Sequence, residues 1–121
     1  MKPSEVIAAA RDKIGSPDKW TQGAYARTSD GTKLDWEEVT KGVCWCLVGA
    51  TTLCDPWAGG RAADNYIRSA ASSFNRRPGE APSTHDFLLD LEEWNDAPER
   101  THHEVLTVLS RAHSLALKDG Q

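Results

Sequence analysis

Residues 43–54 read VCWCLVGATTLC and form the most apolar run of the chain. Periodicity alone does not separate a buried helix from a buried strand in a run of this kind. The length of the run favours a helix, as does its Gly49-Ala50 step, which would let a second helix approach closely. The run therefore predicts a central helix over 43–54 that is buried on nearly all sides.

Amphipathic patterns on both sides of this run predict helices that pack around it. An apolar stripe from Val6 to Ile14 predicts a first helix that ends at Gly15. A further helix is predicted over residues 61–74, with Ala62, Tyr66, Ala70 and Phe74 on one face, and another from residue 83 or 84 to about 94. The expected fold class is mainly α, with about five helices in one domain spanning residues 1–121.

Local turn and capping signals complete this outline. Residues 22–35 hold few helix formers and contain the reverse-turn sequence Ser29-Asp30-Gly31, which predicts a short hairpin or structured loop at 22–35. Asp35 is expected to cap a turn that begins at Trp36. Thr101 and Glu104 have the spacing of a capping box and predict the start of the last helix.

Composition and charge exclude several classes of protein. The net charge of -4 over 121 residues argues against binding nucleic acid through its phosphates, which needs a concentrated basic face. No apolar run approaches the ~20 residues that cross a bilayer, and the N-terminus does not read as a signal peptide. Five tryptophans supply large apolar surfaces for a core. We expect a soluble, cytoplasmic protein that binds neither nucleic acid nor membrane.

The cysteines and histidines predict no metal site and no cofactor. Three cysteines form an odd set, and Cys44 and Cys46 are too close in sequence to bridge each other comfortably within a helix, so free thiols are expected. The spacings also match none of the familiar tetrahedral sites, in which two to four residues intervene between paired cysteines and a second pair of ligands follows. No metal ligands are therefore assigned.

Three tryptophans stand beside polar or thiol side chains. The candidate binding residues are these pairs and their neighbours: Trp20 with Gln22, Trp45 with Cys46, and Trp94 with Asn95 and Asp96. An aromatic wall beside an amide and a carboxylate can hold a ligand. The same side chains can instead form a polar network inside the core, where an unpaired group costs about 1–3 kcal/mol. The sequence leaves open whether these side chains bind a ligand or have a purely structural role.

Catalysis through Cys46 is the alternative to binding. A helix N-terminus favours a thiolate, Gln22 could donate to an oxyanion, and His85 or His102 could act as the base. A cysteine in a run as apolar as 43–48 is, however, more often a small buried hydrophobe. No catalytic residue is assigned on this evidence.

Three fragments together resemble a family of short actinobacterial and bacteriophage proteins known only as a domain of unknown function. The fragments begin at Trp20-Thr21-Gln22-Gly23, at Trp45-Cys46-Leu47-Val48-Gly49-Ala50, and at Trp94-Asn95-Asp96-Ala97-Pro98. The resemblance covers almost the whole chain and implies shared positions at Trp20, Gln22, Gly23, Trp45, Cys46, Gly49, Ala50, Trp94, Asn95, Asp96 and Thr101. Cys44 and Glu99 depart from the pattern. The resemblance implies a phage or bacterial cytoplasmic protein and brings no activity with it.

The functional expectation is a non-catalytic binding or accessory protein. Its partner would be a small molecule or a host protein, and one role of that kind is to counter a host defence system. Small size, acidic charge and the lack of catalytic motifs agree with this expectation. Fold and charge alone do not identify a partner.

Overall fold

The helices and strands follow the expected mainly α outline. A computed structural model describes residues 1–56, 61–76, 79 and 89–121. In this part of the chain the α-helices are α1 (Pro3–Lys13), α2 (Leu47–Cys54), α3 (Arg61–Asn75), α4 (Leu91–Asp96) and α5 (His102–Lys118). Short 3-10 helices span Pro17–Lys19 and Trp36–Lys41, and the strands are β1 (Ala26–Arg27), β2 (Lys33–Leu34) and β3 (Cys44–Trp45). The predicted helix start at Ser83 or Thr84 lies outside the described residues. Where the predicted helix to about 94 is described, it is wrong at Leu89 and Asp90, because these residues are not helical and Asp90 caps α4, which continues to Asp96.

The predicted start of the central helix at residue 43 is wrong. Cys44 and Trp45 form β3, which pairs antiparallel with β1 so that the strand order is β2-β1-β3. The helix begins only at Leu47, after the extended backbone of Cys46, whose amide donates to Tyr25 O at 3.1 Å. An apolar run does not reveal this division, because the partners of Cys44 and Trp45 lie 17 and 19 residues earlier in the chain.

The close approach at Gly49 also differs from the prediction. A Cβ at Gly49 would lie 1.9 Å from Tyr25 O, so the backbone before β1 approaches α2 at this point, and not a second helix. Val48, Leu53 and Cys54 remain partly exposed, while Leu47, Gly49 and Ala50 are buried. The helix is therefore central but not enclosed on all sides.

The hairpin prediction at 22–35 is confirmed. In β1 and β2, Ala26 faces Leu34 and Arg27 faces Lys33 across a turn in which Gly31 has a φ of 87°. That conformation favours glycine, since a side chain would clash with the backbone there. Asp35 then caps the following 3-10 helix by accepting from Trp36 N at 2.8 Å, as predicted.

Helix α5 packs against α1 and α3 and closes the core. Its predicted apolar stripe is confirmed, since the following residues are all buried: Val105, Val108, Leu109, Ala112 and Ala116. The predicted register of α3 is only partly correct: Ala70 is buried and Tyr66 and Phe74 pack against the core, but Ala62 is exposed. The buried positions are Ala63, Ile67, Ala70 and Ala71. Trp45 and Trp94 are core residues, Trp20 is partly buried, and Trp36 is 54% exposed. Within the described residues, no helix is long and apolar enough to cross a membrane.

Candidate functional site

Asn95 is the centre of a polar network that joins three separate segments of the chain. Its side chain is fully buried, and its Oδ1 accepts from Trp20 Nε1 at 2.8 Å and from Leu47 N at 3.1 Å. Its Nδ2 donates to Thr21 O at 3.1 Å and to Asp96 Oδ1 at 2.9 Å. A primary amide has two donor hydrogens and two acceptor sites, so every one of them is used. Asn95 therefore ties the segment after the first 3-10 helix to the start of α2 and to the end of α4.

Gln22 and Gly23 continue this network along the C-terminal end of α4. Gln22 Nε2 donates to Asn95 O at 2.8 Å and to Ala97 O at 2.9 Å. Gly23 N donates to Asp96 Oδ1 at 2.9 Å. The bond to Asn95 O satisfies a carbonyl group at the end of α4, while Ala97 O also accepts from Arg100 N at 2.9 Å. Because both hydrogens of the Gln22 amide are engaged, that side chain does not present the oxyanion donor considered from the sequence.

Trp45 lies beside the network, whereas Trp94 faces away from it. Thr21 N donates to Trp45 O at 3.0 Å, and Trp45 Nε1 donates to Val39 O at 2.7 Å. The Trp94 ring packs against the Arg100 guanidinium, whose carbon lies 3.8 Å from the ring centroid, and against the edge of Phe74. Among the described residues, no acceptor lies within hydrogen-bonding distance of Trp94 Nε1. Consecutive residues of a helix point in different directions, which separates Trp94 from Asn95.

A cleft of about 310 Å³ opens next to this network. Its lining comes from the hairpin, from Cys46 and from α4, namely Gly23, Ala24, Tyr25, Lys33, Leu34, Asp35, Cys46, Glu92 and Asp96. Two of the predicted site residues, Cys46 and Asp96, are among them. Three carboxylates and one ammonium group give the lining a negative balance. The network thus forms the inner support of the cleft, while Asp96 belongs to both.

Tyr25 and Glu92 are residues of the cleft that sequence reasoning missed. Tyr25 OH donates to Glu92 Oε1 at 2.7 Å. This hydrogen bond, together with burial of the phenol, raises the pKa of Tyr25 to about 12. Tyr25 therefore stays protonated near neutral pH and acts as a donor. The available signal was that Glu92 precedes Asp96 by four residues, which places both carboxylates on one face of α4.

Cys46 is an N-cap residue and not an activated thiol. Its Sγ accepts from Gly49 N at 3.2 Å, and its side chain is 3% exposed. Burial raises the pKa of Cys46 to about 12 and outweighs the backbone hydrogen bonds that lower it. His102 Nε2 lies 2.6 Å from Ile14 O, and His85 is outside the described residues. Among the described side chains, no group of three potential metal ligands comes together. The three cysteines are free thiols, as predicted.

We expect Cys46 to alkylate slowly in the folded protein. In the double variant Cys44→Ser with Cys54→Ser, its raised pKa lowers the thiolate fraction near neutral pH by about a thousandfold, and burial limits access further. Iodoacetamide labelling followed by mass spectrometry at pH 7.5 measures the rate. The matched variant Cys46→Ser with Cys54→Ser leaves Cys44, which should react at least about a hundredfold faster. Equal rates in the folded state would contradict the buried cap and support an enzymatic thiol.

Asp64 of α3 is a second buried group that the sequence did not reveal. It is 7% exposed and accepts from Thr51 Oγ1 at 2.9 Å. Burial raises the pKa of Asp64 to about 6, although the Thr51 hydrogen bond and the Arg68 charge lower it. In the observed register Asp64 lies three residues before Ile67 and hence on the buried face. The predicted register of Ala62, Tyr66, Ala70 and Phe74 did not include this position.

Comparison with known proteins identifies a family for this chain. A model described as a family of unknown function, DUF6197, matches residues 1–115. No curated protein and no solved structure matches the chain.

Proposed function

The chain belongs to the DUF6197 family of unknown function, and from the lining of its cleft we propose that it is a binding protein for a small molecule that carries a cationic group. The proposed site is the cleft between the hairpin and α4. Its volume of about 310 Å³ falls at the lower end of the range for small-molecule sites. A compact ligand of roughly the size of an aromatic amine would fit.

The charge of the cleft is the observation that carries this proposal. Asp35, Glu92 and Asp96 line it together with a single cation, Lys33. Carboxylates around a partly enclosed space attract a cation more strongly than they would in open water, because the surrounding protein lowers the local dielectric. A primary amine could pair with Glu92 or Asp96 while its carbon atoms contact Leu34 and Tyr25.

The hydrogen bonds around the cleft support binding by holding its walls in place before a ligand arrives. Asp96 Oδ1 accepts from both Gly23 N and Asn95 Nδ2 at 2.9 Å, which leaves its other oxygen for a ligand. Glu92 is oriented by Tyr25 OH at 2.7 Å. Side chains that are already ordered lose less conformational entropy when a ligand binds. In this proposal the buried network supports the site by holding its walls in place.

Titration with phenethylamine, followed by amide chemical shifts in ¹⁵N-labelled protein, tests this proposal. We expect saturable shifts at Gly23, Tyr25 and Glu92, and much weaker shifts with 2-phenylethanol, which has a similar size but no charge. The substitutions Glu92→Gln and Asp96→Asn should each weaken binding about fivefold to tenfold, since each removes a charge and keeps an acceptor.

The matched control is Glu93→Gln, which removes the neighbouring carboxylate of α4 that does not line the cleft. This variant should bind phenethylamine with unchanged affinity. Equal binding of the amine and the alcohol, or equal losses in Glu92→Gln and Glu93→Gln, would overturn the proposal of a cation site.

A further inference from the structure

We propose that the groove between α1 and α5 is a second binding site and that it takes the phosphate group of a phosphorylated small molecule. The groove has a volume of about 370 Å³ and lies between Arg11 of α1 and the outer face of α5. It shares no lining residue with the cleft beside Tyr25. The proposal therefore stands independently of the cation site.

The lining of this groove is basic although the whole chain is acidic. Arg11, Arg111 and His103 line it together with hydroxyl side chains such as that of Ser110. No aspartate or glutamate belongs to this lining, all of which lies in the described parts of α1 and α5. The chain as a whole carries a net charge of -4, whereas the lining of this groove is positively charged.

Carboxylates elsewhere on the same two helices have other surroundings. Glu5 caps the first turn of α1, and Asp12 lies close enough to Cys54 to contribute to the raised pKa of that thiol. On α5, Glu104 Oε2 lies 3.7 Å from Arg100 Nη1. Because these carboxylates have other contacts, Arg11 and Arg111 can bind an external anion.

Contacts with Ser110 inside the groove and with Phe74 outside its lining restrain the two guanidinium groups and leave N–H donors available. Arg11 Nε donates to Ser110 Oγ at 2.9 Å, so the Ser110 hydroxyl accepts this bond and its own hydrogen can point to a ligand. The Arg111 guanidinium lies 5.4 Å from the Phe74 ring centroid, a contact that uses its charge and none of its N–H donors. Each guanidinium carries five N–H donors in a planar fork.

A phosphate monoester matches this set of donors. It presents several oxygens and up to two negative charges, which two arginine forks and a hydroxyl can bind together. The volume of about 370 Å³ exceeds that of one phosphate ion, and Leu106 gives the groove an apolar contact for the rest of a ligand. A phosphorylated small molecule therefore fits better than a free ion.

Titration of the full chain with phenyl phosphate tests this inference, again by amide shifts in ¹⁵N-labelled protein. We expect saturable shifts confined to Arg11 and to residues 103–114, with the cleft residues Tyr25 and Glu92 unmoved. Phenol should cause no comparable shifts. The substitutions Arg11→Gln and Arg111→Gln should each weaken binding about tenfold.

Arg61→Gln is the matched control, because it removes an exposed arginine of α3 that does not line the groove. It should leave the affinity for phenyl phosphate unchanged. Equal losses in all three arginine variants would indicate attraction by general charge and overturn the inference. Benzoate that binds as tightly as phenyl phosphate would also overturn it, since the groove would then select any anion. These outcomes are independent of the result with phenethylamine, which is read at other residues.

Discussion

Asn95→Ala is expected to lower the free energy of unfolding by about 3–5 kcal/mol. The substitution leaves Trp20 Nε1, Leu47 N and Thr21 O without the partner that the fully buried amide provides. A buried donor or acceptor that loses its partner costs about 1–3 kcal/mol, and some of these groups will find water or a new partner. Since domains are stable by only about 5–15 kcal/mol, the loss is a large part of the total.

Urea denaturation followed by circular dichroism measures this loss. The matched control is Asn65→Ala on α3, where an exposed amide accepts one hydrogen bond from Arg68 Nη1 at 3.1 Å. That substitution should change the free energy of unfolding by less than about 0.5 kcal/mol. A loss below about 1 kcal/mol in Asn95→Ala would contradict the role of Asn95 as the link between three segments.

Gly49→Ala is expected to destabilise the fold by about 3 kcal/mol or more, although alanine is the better helix former. The new Cβ would lie 1.9 Å from Tyr25 O and 2.8 Å from Tyr25 C. Both are backbone atoms, so no side chain can rotate away, and either α2 or the segment before β1 must move. The bond from Cys46 N to Tyr25 O, at 3.1 Å, would be displaced with them.

The same denaturation experiment tests Gly49→Ala, with Gly15→Ala as the control. At Gly15 the nearest atom to a new Cβ is Asp12 O at 3.3 Å, a contact that small adjustments relieve. The control should therefore lose less than about 1 kcal/mol. Because Tyr25 lines the cleft, Gly49→Ala should also weaken phenethylamine binding. An unchanged free energy of unfolding in Gly49→Ala would refute the close approach of Tyr25 to α2.

The boundary between β3 and α2 at residue 46 could not be predicted from the sequence. The middle of the run 43–54 belongs to the core, although Val43 is 51% exposed. Cys44 and Trp45 pair with β1 through contacts that no local pattern specifies. At Gly49 the sequence predicted a close approach, but it did not show that the backbone of Tyr25 is the approaching segment. Likewise, the recurrence of tryptophan beside amide side chains indicated that Gln22 and Asn95 mattered, and left open whether they formed a pocket or a network.

Local signals by themselves determined α1, the hairpin over 22–35, the cap at Asp35 and the start of α5 at Thr101. Each depends on residues within a few positions of one another, so the sequence contains the whole cause. The cleft, the network around Asn95 and the basic groove were decided only by the tertiary structure. Their side chains come from segments far apart in the chain: 75 residues separate Trp20 from Asn95, and 99 separate Arg11 from Ser110. Packing of the helices sets which of these side chains meet, and a single sequence does not display that packing.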